Sequence, residues 1–152
     1  MKLHFFLFSI STLVFFITIA NAQSSPHSQQ SSRTIAREND TVWVIVNPVK
    51  ADKRAQFEKF INEVFWPGAK KLSVKEQQVF TQTRVLYPTK QEADGSYNYM
   101  FIMDQVITGG DYDIESLLKK IYGEPKANEY IQMYNETTAA PQIMYSEVQS
   151  RY

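Results

Sequence analysis

Residues 79–107 read VFTQTRVLYPTKQEADGSYNYMFIMDQVI, and this stretch decides the fold. Residues 79–87 (VFTQTRVLY) and 97–107 (YNYMFIMDQVI) are both rich in the β-branched and aromatic side chains that suit strands. Pro88 stops the first run, and Asp94-Gly95-Ser96 supplies the turn into the second. The two are therefore predicted to pair as a long antiparallel hairpin. What lies on either side of that hairpin then sets the topology.

Upstream, residues 41–46 (TVWVIV) form another β-branched run that ends at Asn47-Pro48 and reads as a strand. Asp52 can cap a helix in which Phe57, Phe60, Ile61, Val64 and Phe65 recur at helical spacing. Trp66-Pro67-Gly68 is expected to interrupt it, because Pro67 lacks an N–H and restricts Trp66. Residues 69–77 then resume a short helical turn or two. Downstream, Gly109-Gly110 breaks the chain, and Asp111 or Asp113 caps a helix carrying Ile114, Leu117, Leu118 and Ile121, with Gly123 as its stop. Pro125 starts another helix with Ala127, Tyr130, Ile131 and Tyr134 on one face. Residues 142–149 (QIMYSEVQ) read as a last strand. The order is βαββαβ, and short right-handed connections make it the ferredoxin-like split arrangement. The fold class is α+β: four antiparallel strands with the helices on one face.

The strands carry a second message. A sheet covered on one side should alternate apolar and polar residues. In the first strand Val42, Val44 and Val46 oppose Trp43 and Ile45, so both faces are apolar; the third strand repeats this. A helix layer covers only one of them. The other would expose a larger apolar patch than monomers usually tolerate. A second copy packed sheet to sheet, a C2 homodimer, is the expected cover. The leader or the C-terminal tail is the alternative.

The N-terminus reads as an address. Met1-Lys2 precedes a mostly apolar run to Ile19, and Ala20-Asn21-Ala22 offers small residues where a signal peptidase needs them. Residues 1–22 are expected to be a signal peptide cleaved after Ala22, leaving a secreted or periplasmic protein with no stable membrane anchor. Residues 23–39 are Ser/Gln-rich and too poor in apolar groups to offset their ordering entropy, so they read as a flexible leader. The folded domain is then residues 40–152.

Composition excludes more than it selects. Lys and Arg number 16 against 16 Asp and Glu, and a formal net charge of zero gives no basic surface for nucleic acid. There is no Cys, and the two His (His4 and His27) both precede residue 40. No Ser-His-Asp relay, Cys-His pair or ordinary zinc site can form within residues 40–152. No Gly-rich phosphate loop appears, so no nucleotide, metal or other cofactor is expected. Lys70, Lys71 and Lys75 read as a solvated face beside Glu63 and Glu76.

Four segments carry a resemblance: VWVIVNPV (42–49), FWPGAKK (65–71), TQTRVLYP with DGSYNYMFI (81–88 and 94–102), and PQIMYSEV (141–148). Residues 40–152 resemble the dimeric α/β-barrel superfamily, which includes antibiotic-biosynthesis-monooxygenase-like proteins, and are similar to exported bacterial domains of unassigned function. Haem-degrading members need an axial His, which this domain lacks. Cofactor-free oxygenases of the group place Asn, Trp, Tyr or Arg around an aromatic substrate. By position, this chain offers Asn47, Trp66, Arg84 and Tyr87 as ligand-binding residues.

Each has a plainer role beside that one. Trp66 either walls a pocket or plugs the core, and Asn47 before Pro48 suits a turn. Arg84 either holds a carboxylate or phenolate, or pairs with Asp104 or Glu147. Asp104, interrupting an apolar strand, is either a buried base or the partner of Arg84. The expected function is the binding of a small hydrophobic or aromatic molecule by an exported homodimer. A cofactor-independent oxygenase or isomerase-like enzyme on an aromatic substrate is the alternative, and a structural or interaction module without ligand is a third reading.

Overall fold

The computed structural model describes residues 33–151. The expected signal peptide and residues 23–32 of the leader lie outside the described residues. Four strands form one antiparallel sheet: β1 (Thr41–Val49), β2 (Thr83–Leu86), β3 (Tyr97–Met103) and β4 (Ile143–Val148), in the order β2-β3-β1-β4. Four helices accompany them. The first, α1, is a continuous helical run over residues 51–71; α2 is Val74–Gln82, α3 is Ile114–Tyr122 and α4 is Glu124–Asn135. The fold is α+β and ferredoxin-like in strand order.

Strand partners share a face, so the register separates the two sides of the sheet. Trp43, Ile45, Asn47 and Val49 of β1 pair with Met103, Phe101, Tyr99 and Tyr97 of β3. That face meets the helices: Phe57 packs on Tyr99 and Trp66 on Phe101, with ring centroids 4.6 and 6.1 Å apart, while Phe60 of α1 meets Tyr134 of α4 at 5.4 Å. Full burial of each such ring is worth about 1.5–3 kcal/mol, so this layer carries most of the core.

Several boundaries differ from the sequence reading; β1, for one, runs through Asn47-Pro48 to Val49. Trp66-Pro67-Gly68 does not interrupt α1. The run widens to π geometry over Phe60–Phe65, where Trp66 N–H donates to Ile61 O five residues back, and continues through Lys71. A wide turn absorbs the missing Pro67 donor, and the neighbouring Asn62 and Glu63 are exposed to water. Residues 79–82 are helical, not extended. Ser73 and Glu76 close a reciprocal cap that starts α2, and Val79 and Phe80 are buried as helix residues. Strand β3 ends at Met103, four residues short of the expected end.

The described part of the segment read as leader lies against the domain. Thr34 N–H donates to Gln82 Oε1 (3.0 Å), Gln82 Nε2 donates to Thr34 O (2.8 Å), and Ala36 N–H donates to Asp104 Oδ1 (2.9 Å). Composition alone overlooked this, because the contacts rest mainly on main-chain hydrogen bonds, with Ala36 the one buried apolar side chain of residues 33–39.

The outer face is less covered. By register it holds Val42, Val44 and Val46, with Arg84, Leu86, Met100, Ile102, Ile143 and Tyr145. Leu86, Met100, Ile143 and Tyr145 are all exposed. Every residue of β4 is exposed on both faces, Met144 and Val148 included. No helix among the described residues is long and apolar enough to cross a membrane.

Candidate functional site

Between the inner sheet face and the helices lies a cavity of about 150 Å³. Ile45, Phe101 and Met103 line it from the sheet, Phe65 and Trp66 from α1, and Phe80 and Leu117 from α2 and α3. The aromatic wall is continuous: Phe65 meets Trp66 at 5.6 Å and Phe80 at 5.0 Å, and Trp66 meets Phe80 edge-on at 5.5 Å. Such tilted contacts place ring edges against ring faces, which fixes the wall's shape.

One end of the cavity is polar. Asn47, 2% exposed on the inner face of β1, accepts at Oδ1 from Tyr134 Oη of α4 (2.8 Å) and from Gln142 Nε2. Gln142 Nε2 also donates to Tyr134 Oη at 2.7 Å. These bonds lock the Asn47 amide with its oxygen turned to Tyr134 and Gln142. Its Nδ2 donates to no other described residue. Burial pushes the Tyr134 phenol up to about 12, so at neutral pH it is a neutral donor. Asn47 Nδ2 is thus left as a donor at the polar end of a largely aromatic cavity, an arrangement suited to orienting an oxygen acceptor on a hydrophobic ligand.

Tyr112 and Asp113 lie at the rim. Both are engaged: Tyr112 Oη accepts from Ile107 N–H at 2.8 Å, and Asp113 caps α3 by accepting from Ser116 N–H at 2.7 Å. Burial raises the Tyr112 phenol. Among the described residues no group of three or more His, Cys, Asp or Glu is placed to hold a metal ion.

The four residues singled out in the sequence do not converge. Asn47 and Trp66 line the cavity. Arg84 stands on the opposite face of the sheet, opposite Ile102 in register, and forms an ion pair with Asp104 at 3.0 Å. Alternation along a strand over 79–87 would have put Phe80 and Gln82 on its face, but both are helical. Tyr87 lies beyond the end of β2, where its hydroxyl donates to Asn62 Oδ1 at 3.0 Å and its ring meets Tyr99 at 5.4 Å.

Tyr99 heads a separate polar cluster. It is wholly buried and donates to Glu58 Oε1, which also accepts from Arg54 Nε at 2.9 Å. Burial first, then the Glu58 contact, pushes the Tyr99 phenol up to about 12, and the bond from Tyr99 lowers Glu58.

Sequence reasoning missed Tyr134 and Gln142 as members of the site. A signal did exist. An amide on the helix-covered face of a strand must find partners, and a Tyr on a helix packed against it is a natural one. The sequence distances of 87 and 95 residues hid the match.

No protein-family model and no curated protein matches the sequence. Among solved structures, the chain is similar to a protein of Caulobacter crescentus CB15 provisionally named as an antibiotic biosynthesis monooxygenase, with 15% identity and a TM-score of 0.39 over 75% of this chain and 92% of that one.

Proposed function

We propose that the domain binds a small hydrophobic or aromatic molecule, the size of one substituted ring, in the cavity beneath the sheet. The observation that carries this reading is the uncommitted donor Asn47 Nδ2 at the polar end of a cavity otherwise walled largely by aromatic and aliphatic side chains. An apolar void of roughly 150 Å³ accepts a benzene-sized guest. The phenol or quinone oxygen of such a guest would satisfy Asn47, and its ring would rest on Trp66 and Phe80.

A panel of phenols and quinones tests this on the Trp43→Phe variant, in which Trp66 is the remaining fluorophore. Saturable quenching is expected, weakened roughly tenfold by Asn47→Leu for ligands bearing an acceptor oxygen. Quenching that does not saturate sinks the proposal and favours an interaction module. Oxygen uptake with any ligand that binds separates an oxygenase from a carrier. The carrier is preferred, because Arg84 and Tyr87 do not share the cavity with Asn47 and Trp66.

Two further parts of the reading concern assembly and place. The exposed outer face, with Leu86, Met100, Ile143 and Tyr145, supports a homodimer joined sheet to sheet. The N-terminal sequence supports export. Expression in a bacterial host with intact secretion should give an extracytoplasmic chain whose mass corresponds to a start at Gln23, and a full-length chain in the cytosol would refute it.

A further inference from the structure

A second, larger cavity of about 430 Å³ opens between α2, residues 105–108 and Thr34 of the docked segment 33–36. Its lining differs in kind from the first. Gln78, Gln82 and Gln105 contribute amides, Thr34, Thr81 and Thr108 contribute hydroxyls, and no ionisable side chain takes part. One of these amides already shows what the surface binds. Gln82 grips one residue of extended main chain from both sides, accepting from Thr34 N–H and donating to Thr34 O. Side chains take no part in that recognition: the neighbouring Ile35 is 72% exposed. Gln78 and Gln105 hold the same donor and acceptor groups, and neither side chain makes a hydrogen bond to another described residue.

We propose that this cavity is a second ligand site, one that takes an uncharged, extended peptide segment by its main chain. A peptide unit offers one N–H and one C=O, which a carboxamide matches in pairs, as Gln82 does with Thr34. A lining with no ionisable side chain offers no counter-charge to a charged side chain, which favours an uncharged segment. Gln78 and Gln105 would each repeat the Gln82 pairing on further residues of the bound segment. The site is separate from the aromatic cavity, and the two proposals stand or fall independently.

The test is a titration of the full chain, labelled with nitrogen-15, with the capped peptide acetyl-Ala-Ala-Ala-Ala-amide, and in parallel with trehalose as a neutral polyhydroxyl probe. The expected result is saturable shifts of the Gln78 and Gln105 side-chain amides with the peptide. The affinity should fall roughly tenfold in the Gln78→Ala, Gln105→Ala double variant. Gln78→Ala alone, an exposed helix position, should fall severalfold with an unchanged spectrum elsewhere, which separates lost binding from lost fold. Absence of saturable shifts, equal peptide binding by the variants, or a response to trehalose alone would overturn the proposal.

Discussion

A buried amide sets the terms at the scale of single residues. Asn47 sits in a strand among aromatic rings, where an unmatched polar group costs about 1–3 kcal/mol. Tyr134 and Gln142 meet its oxygen, so replacing Tyr134 by Phe should cost roughly 1 kcal/mol at neutral pH, read as a lower urea midpoint. The same phenol predicts an alkaline limit. Tyr134 and Tyr99 are both pushed up to about 12 by burial, while an unfolded chain's tyrosines titrate near 10. Between those values the unfolded chain releases protons that the folded one keeps. Stability is therefore fully present below pH 10 and falls as pH rises toward 12. The fall should be shallower in Tyr134→Phe; an equal slope in both proteins would remove Tyr134 from the account. Asn47 and Trp66 entered as candidates only through the resemblance, and what the structure adds is that both line one cavity. Arg84 was misplaced because residues 79–82 were read as strand, which lent it neighbours it does not have. Of the two partners the sequence offered it, Asp104 and Glu147, the structure selects Asp104, one residue past the end of β3.

Helix α1 shows how close approach overrides local propensity at the scale of elements. Pro67 and Gly68 mark a break by composition, yet the helical run passes through them. The reason lies on α3. A Cβ on Gly68 would stand 2.8 Å from Ile121 Cγ2 and 2.9 Å from Tyr122 Oη, and that hydroxyl donates to Val64 O at 2.7 Å. Glycine is present to let two helices touch, not to end one. Gly68→Ala would gain up to about 1 kcal/mol of helix propensity but incur about 1–3 kcal/mol of overpacking. A net loss of roughly 1–2 kcal/mol is expected in chemical denaturation, and a more stable variant would contradict the packing argument. Neither this contact nor the π segment could be read from the sequence, since both depend on where α3 lies. The hairpin and the α3 helix were readable, because Asp94-Gly95-Ser96 and the Asp113 cap act within a few residues.

Coverage is the issue for the whole molecule. The helices shelter one face of the sheet and leave β4 exposed on both, with Met144 and Val148 on the inner side and Ile143 and Tyr145 on the outer. An apolar edge strand left open invites association, and natural proteins cover such edges. If a second copy provides the cover, light scattering should report twice the chain mass, and Tyr145→Glu should shift the protein toward the monomer. A wild-type monomer at tens of micromolar would refute the homodimer. The two-faced apolar pattern that suggested it was visible in β1 and β3 from alternation alone. The special exposure of β4 was not, because it depends on the sheet order rather than on the strand's own residues.

That order also governs timing. Thr41–Val49 leaves the ribosome before any other strand, yet it ends in the middle of the sheet, between β3 and β4. The bond from Trp43 Nε1 to Ser146 Oγ joins residues 103 positions apart. One edge of β1 can close once β3 has been made, but the other must wait, with its hydrogen-bonding groups open, until β4 has been made. Non-local closure of this kind slows folding relative to a helical bundle of similar size. A nascent chain halted before β4 would display a ready-made edge to any other unfinished copy nearby.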